Sequence, residues 1–460
     1  MPLRPCRKGG PVVLSVHLEG TLAQLFLLAS LLFGLMYSPH AREDTPMPAR
    51  PSVCDGASMI TAANLDTKAQ QLNKSISELK LRLSTASDPV EIAKLTHQLE
   101  ELQKELLDLI FAQECVRTDY SIQILRGPGD TAPPWVEITT FFATNRAATG
   151  STAPDNYFGA ERQQLLQFGK TVVSIPTNRK PGTLDLPSLW KFELTADPKK
   201  HFIFKEIIPL QADAAHTEMS KIIAASGKKS LLIFVHGFNV TFSDAALRTA
   251  QLAHDLAFPG TAVFFSWPSV GEARSYWRDE EVVQLSQAAF DQFLDQVSNI
   301  GATEIYLIAH SMGNRLVTTV LKDRAAKGKL IPNLKELFLA APDINAEIFQ
   351  EIIVPGLASL QGVHRTIYAS STDLALRASK VVHDYRRVGD TDGGVFTFDG
   401  FETIDASSVA PVLRAFGHSY VVDSTKVIGD ISETLTMHFT ADQRSLQRLG
   451  SAPRIWWTLE

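Results

Sequence analysis

Cysteine is scarce: Cys6, Cys54 and Cys115 are the only three in 460 residues. No Cys/His cluster has the spacing of a metal site. No glycine-rich stretch makes a convincing phosphate loop, so no cofactor is expected. Positive charge is not in excess either. The formal net charge is -6 and no long basic or acidic block appears, which gives no reason to expect nucleic acid as a partner. A repeat with a period of about 20 to 50 residues is also missing, which argues against a solenoid.

Ordinary globular composition remains, with 45% hydrophobic and 20% charged residues. At this length the chain has room for about two or three domains. Arg4, Arg7 and Lys8 precede an apolar run from Leu22 to Tyr37. A positive start before an apolar segment reads as a signal peptide or a membrane anchor over residues 1–41. Pro39 makes the stretch ending at Ala41 a poor cleavage site. The charge asymmetry puts the rest of the chain across the membrane, in the periplasm or on the outer face of the inner membrane.

Residues 54–115 carry heptad spacing. Leu65, Ala69, Leu72, Ile76, Leu79 and Leu83 form one stripe; Ile92, Leu95, Leu99, Leu102, Leu106 and Leu109 form a second. Between them Asp88 can cap the second helix, with Pro89 at its first position and Glu91 completing a capping box. Two helices of similar length give an antiparallel coiled-coil hairpin. Its far ends bring Cys54 and Cys115 together, and an oxidising compartment would let them form a disulfide. The same apolar stripes could serve a protein partner.

"RGPGDTAPPW", residues 126–135, is rich in Gly and Pro and reads as a linker. From residue 136 to 460, strand-like and helix-like segments alternate, the signature of an α/β fold with a mostly parallel sheet covered by helices. Continuous apolar strands such as LLIFV and IYLIA suit a sheet buried on both faces. A single helix is expected from about Glu281 to Val297, and "FETIDAS", residues 401–407, reads as the last strand.

The strand "EIYLIAHS" runs straight into a helix pattern at Ala309-His310-Ser311-Met312-Gly313. A serine on a sharp strand-to-helix turn is lifted out of the sheet as a nucleophile, and small residues must flank it. Such a hydroxyl needs a base. His383, His418 and His438 come late enough, and His418 is placed best, after the last strand and before the terminal helix. Asp343, Asp373 and Asp405 all end strands and each could orient the imidazole. Asp373 follows the second strand after the serine and is the first choice; helix capping is the bland role for any of them. Backbone N–H groups of Met312 and of Phe238, in "VHGFN", are candidate oxyanion donors. His236 could fix that loop. Trp267, Tyr276 and Trp277 could line a pocket or simply pack a cap.

The stretches "FFATNR", "VSIP", "IFVHGFN", "FSWPS", "LIAHSMGNR", "FLAAPDI", "YASSTDLAL" and "HSY" together resemble the α/β hydrolases. Within them the chain is similar to a bacterial family of unknown function with a suggested esterase or lipase role. That resemblance covers about residues 136–435. It implies the α/β-hydrolase fold and a Ser311, Asp373, His418 triad. The function expected is a serine esterase of the cell envelope acting on a small-molecule or lipid ester. The alternative is an envelope scaffold that binds partners through its coiled coil and carries an inactive hydrolase domain.

Overall fold

A computed structural model describes residues 133–182, 184, 197–272, 275–373, 375–376, 379, 385–409 and 423–459, with scattered positions between 71 and 102. The N-terminal segment 1–41, Cys54, Cys115, His383, His418 and most of the helical hairpin and linker lie outside them.

Among the described residues eleven strands form one sheet in the order β10-β11-β9-β8-β7-β6-β4-β5-β1-β2-β3. They are β1 (Trp135–Ala148), β2 (Phe158–Pro176), β3 (Ile203–Leu210), β4 (Ser230–Val235), β5 (Thr261–Ser266), β6 (Glu304–His310), β7 (Leu334–Ala340), β8 (His364–Ala369), β9 (Glu402–Asp405), β10 (Gln447–Ser451) and β11 (Arg454–Thr458). From β9 through β5 to β1 every neighbouring pair is parallel. The pairs β1–β2, β2–β3 and β10–β11 are antiparallel.

The pleat sorts each apolar strand onto two faces. Leu231, Ile233 and Val235 of β4 enter one core, while Leu232 and Phe234 enter the other. Helices α1 (Ala212–Ala225), α4 (Gln287–Ser298) and α5 (Gly313–Ala326) cover the first face. Helices α2 (Phe242–Asp255) and α6 (Thr425–Met437) cover the second. The chain leaves β4 through α2 on one face and leaves the adjacent β6 through α5 on the other. Diverging connections make the carboxyl ends of those two strands the topological switch point, where sheets of this kind take their ligands. Ser311 and the loop after β4 lie there.

Three features depart from the sequence reading. The expected helix from Glu281 to Val297 is two, α3 (Tyr276–Leu285) and α4, broken at Ser286. The Ser286 hydroxyl donates to Val282 O at 2.8 Å and accepts from Asn145 Nδ2 at 3.0 Å. A serine turned back onto its own helix competes with the ladder. Residues 401–407 are not the last strand, because β10 and β11 follow α6 and β11 pairs with β9. The sequence of β10, QRLGS, has one large apolar residue, so pairing with RIWWT, not alternation, makes it a strand. Edge strand β3 and helix α1 also escaped notice.

Buried charge ties the C-terminal strands together. His364 Nδ1 lies 2.7 Å from Glu336 and Nε2 lies 2.8 Å from Glu402. Arg444 joins Glu402 at 2.5 Å to Asp430 at 2.8 Å, and Asp430 accepts the Tyr368 hydroxyl at 2.6 Å. Despite the opposing effect of burial, the two glutamates facing its ring nitrogens raise the His364 pKa from 6.5 to about 9. A raised histidine contributes its full stabilisation below the unfolded pKa and loses it as pH climbs through the folded one. Unfolding free energy should therefore fall by about 3 kcal/mol as pH rises from 6.5 to 9. Urea titrations across that range check this, and the slope should flatten in His364→Gln.

Candidate active site

Ser311 follows the last residue of β6 and takes φ 51, the left-handed region. For an L-residue this costs about 1–2 kcal/mol, so the surroundings must hold it. They do. Ser311 N–H donates to Ala340 O at 2.9 Å. Its carbonyl accepts from Asn314 N at 3.1 Å, Asn314 Nδ2 at 2.9 Å and Asp343 N at 3.3 Å. Asn314 Nδ2 also reaches Ala340 O at 3.0 Å, clamping the turn to the end of β7. A methyl group on Gly313 would lie 2.3 Å from His236 O. One on Gly237 would lie 2.6 Å from Ser311 Cβ. Both glycines are therefore fixed by close approach of backbone, which brings the loop after β4 against the serine turn. Ala309, two residues before the serine, is fully buried with its methyl accommodated.

Phe238 follows Gly237 in that loop, and Met312 begins the first turn of α5, where amides lack intrahelical acceptors. A frame of buried side chains fixes the loop. Trp267 Nε1 donates to His236 O at 2.9 Å, and its ring stacks on the imidazole with centroids 5.1 Å apart. Val240 N donates to Ser269 Oγ at 3.1 Å; that hydroxyl donates to Asp279 Oδ2 at 2.5 Å. Arg146, wholly buried, donates to Val240 O and Ser269 O at 2.8 Å each and to Gly159 O at 3.1 Å. Burial lowers its pKa, yet the guanidinium stays protonated at neutral pH.

A second cluster lies behind the serine. Asp343 Oδ2 accepts from the Tyr276 hydroxyl at 2.6 Å and from Arg315 at 3.1 Å. Its Oδ1 accepts from Ser379 at 2.7 Å and sits 3.3 Å from Arg387 Nε. Despite burial, which alone would raise it, the Arg315 and Arg387 charges lower the Asp343 pKa to about 2.

Residues 211–436, about half of the chain, match the model of a family described as an alpha/beta hydrolase of unknown function (DUF900). That segment belongs to the α/β hydrolases. Protein YnbC of Escherichia coli K12, itself uncharacterized, is 26% identical over 165 residues, which cover 35% of this chain and 26% of YnbC. The chain thus spans about a quarter of that relative's length. Among solved structures, the thermostable esterase of Pseudomonas putida ECU1011 aligns at 12% identity over 80% of this chain and 95% of its own, with a TM-score of 0.30. An esterase of Pyrobaculum calidifontis aligns at 10% identity over 85% and 99%, also at 0.30.

Within this fold the three carboxylates considered from the sequence have different surroundings. Asp343 is occupied by two guanidiniums and two hydroxyls. Asp405 ends β9 and its Oδ1 takes the Ser407 N–H at 3.0 Å, a turn contact. Asp373 is completely buried after the end of β8, with Leu376 N donating to its Oδ1 at 3.0 Å. That last bond is the capping contact expected of an Asp at a helix start.

Of the candidate bases, His438 caps the end of α6, and its Nε2 lies 3.3 Å from Glu304 at the start of β6. Ser311 is at the other end of that strand, about 20 Å away at about 3.3 Å per residue. His438 therefore cannot serve Ser311. Of the three aromatic residues, Trp267 is wholly buried in the loop frame. Tyr276 is held by Asp343 and meets Phe238 edge-on at 5.1 Å. Trp277 is 59% exposed and is the one that faces solvent. Among the described residues no group of three His, Cys, Asp or Glu side chains is placed to hold a metal ion.

Sequence reasoning passed over Arg146, Ser266, Asn314, Arg315 and Ser379. Four of these residues stand inside recognisable motifs: Arg146 closes "FFATNR", Ser266 is in "FSWPS", and Asn314-Arg315 closes "HSMGNR". A charged or amide residue at the end of an apolar run was the signal available.

Proposed function

We propose that the protein is a serine hydrolase acting on carboxylic esters. The observation that carries this reading is the strained Ser311 turn at the carboxyl ends of β4 and β6, with the loop bearing Phe238 packed against it. A left-handed serine is a cost to folding, and its placement where strand ends converge gives it a use. In the reaction Ser311 Oγ bonds to the ester carbonyl carbon while its proton passes to His418. Asp373 orients that imidazole and stabilises it once charged. Phe238 and Met312 N–H groups hold the oxyanion. The C–O bond to the alcohol breaks and His418 returns the proton to it. Water, deprotonated by His418, then releases the acid and frees Ser311.

The substrate is a small or lipid ester with a short to medium acyl chain. The site works in the periplasm or on the outer face of the inner membrane, with the N-terminal segment as export signal or anchor. The coiled coil, clamped by a Cys54–Cys115 disulfide, is the surface for a protein partner. A p-nitrophenyl ester series of rising chain length, run with a fluorophosphonate probe, tests the chemistry. Turnover highest at short to medium chains, with one label per chain, is expected. Folded protein that neither turns over an ester nor takes the label would refute it.

A further inference from the structure

A chain of donors runs from β1 through the end of β5 into the loop after β4 and ends on one particular peptide. Arg146 Nε donates to Ser266 Oγ at 2.8 Å. Ser266 Oγ lies 3.1 Å from His236 Nε2. His236 Nδ1 lies 2.8 Å from Gly237 O. The far end fixes the direction of the chain. A carbonyl oxygen only accepts, so Nδ1 must carry the proton. The imidazole is neutral, because burial and the Arg146 charge hold its pKa well below the ordinary value. Nε2 is then a bare acceptor, and the Ser266 hydroxyl, already receiving from Arg146, donates to it. The opposite tautomer would set two lone pairs against each other 2.8 Å apart.

Gly237 C=O and Phe238 N–H are the two ends of a single peptide unit, planar by resonance. We propose that Arg146, Ser266 and His236 are positioning residues for the oxyanion donor, acting through the Gly237 carbonyl on the Phe238 N–H. The inference rests on the Ser311 reading and deepens it. A donor on the carbonyl fixes the plane of the peptide, so the N–H cannot swing away from the oxyanion. It also draws electron density from nitrogen to oxygen, making the N–H a stronger donor, by about 10–30% for each bond in such a chain. The arrangement has little slack. Three other Arg146 bonds anchor the guanidinium to backbone carbonyls. Ser311 Cβ meets the other side of Gly237. Preorganised donors of this kind cost no reorganisation when charge develops.

Ser266→Ala breaks the chain in its middle and removes one oxygen. Losing an oxyanion donor outright costs about 10²–10³ in kcat, so misdirecting one should cost about 10-fold, with KM changed less than about 2-fold. Affinity for a trifluoromethyl ketone, which forms a tetrahedral oxyanion on the serine, should fall in parallel. Ser266→Thr, which keeps the hydroxyl, should recover most of the loss. A merely structural role would instead lower stability and leave the KM-against-kcat split and the ketone affinity alone. Nitrogen-15 NMR of the wild-type protein gives a reading independent of any variant: His236 Nδ1 protonated and Nε2 bare. Protonation at Nε2 overturns the proposal even if Ser266→Ala does not fold. So does a folded Ser266→Ala with wild-type kcat and ketone affinity. If the wild type neither turns over an ester nor takes a fluorophosphonate, the Ser311 reading falls and takes this inference with it; if it does both, only the relay is at stake.

Discussion

Ser311→Ala should remove fluorophosphonate labelling completely and cut kcat/KM for a p-nitrophenyl ester by about 10⁴- to 10⁶-fold. That is the range for deleting the nucleophile of a serine hydrolase; binding and the oxyanion donors supply the activity that is left. The fold should survive. Ser311 is 3% exposed, and the contacts that hold its turn are made by its backbone, not its hydroxyl. Alanine at φ 51 carries about the same left-handed penalty as serine. Urea unfolding should accordingly stay within about 1 kcal/mol of wild type, the ordinary range for a mild substitution. Turnover surviving in a folded variant would mean that the chemistry is elsewhere.

The elements legible from sequence were those whose residues carry their own reason. The buried strands LLIFV, TAVFFS and IYLIA announce themselves because both faces are covered and no polar residue interrupts the apolar run. The serine turn was legible because close backbone approach demands small residues on each side, and Gly313 supplies one. Strand β10 was not, since its pairing depends on a partner that sequence cannot align with it. The break at Ser286 was hidden for a similar reason: Asn145, which pulls on that serine, is 141 residues away. Arg146 shows the limit most clearly. A lone arginine at a strand end reads as solvated, and only the fold reveals the carbonyls of Gly159, Val240 and Ser269 around it. Long-range polar contacts leave no periodicity, so they are the part of the site that must be seen.

Replacing either of two buried aspartates by asparagine should separate a catalytic role from a structural one. Asp373→Asn keeps the capping bond, because asparagine accepts from Leu376 N about as well as aspartate does. If capping were its whole role, the variant would be close to neutral. If it orients His418 as proposed, the variant should instead lose about 10⁴ in kcat, the cost of imposing the wrong tautomer on the base. Asp343→Asn should behave the other way. Its carboxylate answers both Arg315 and Arg387, and neutralising it leaves two buried guanidiniums without that counter-charge. Breaking a buried pair costs about 3–5 kcal/mol, so the loss should appear in urea unfolding while the folded fraction still labels at Ser311. The low Asp343 pKa adds a sign. With a folded value of about 2 against 3.8 unfolded, its contribution is whole above the unfolded value and disappears as the pH falls through 2. The acid limb of wild-type stability should therefore be shallower in Asp343→Asn. Full activity in a folded Asp373→Asn, joined to a kinetic collapse in a stable Asp343→Asn, would exchange the two assignments.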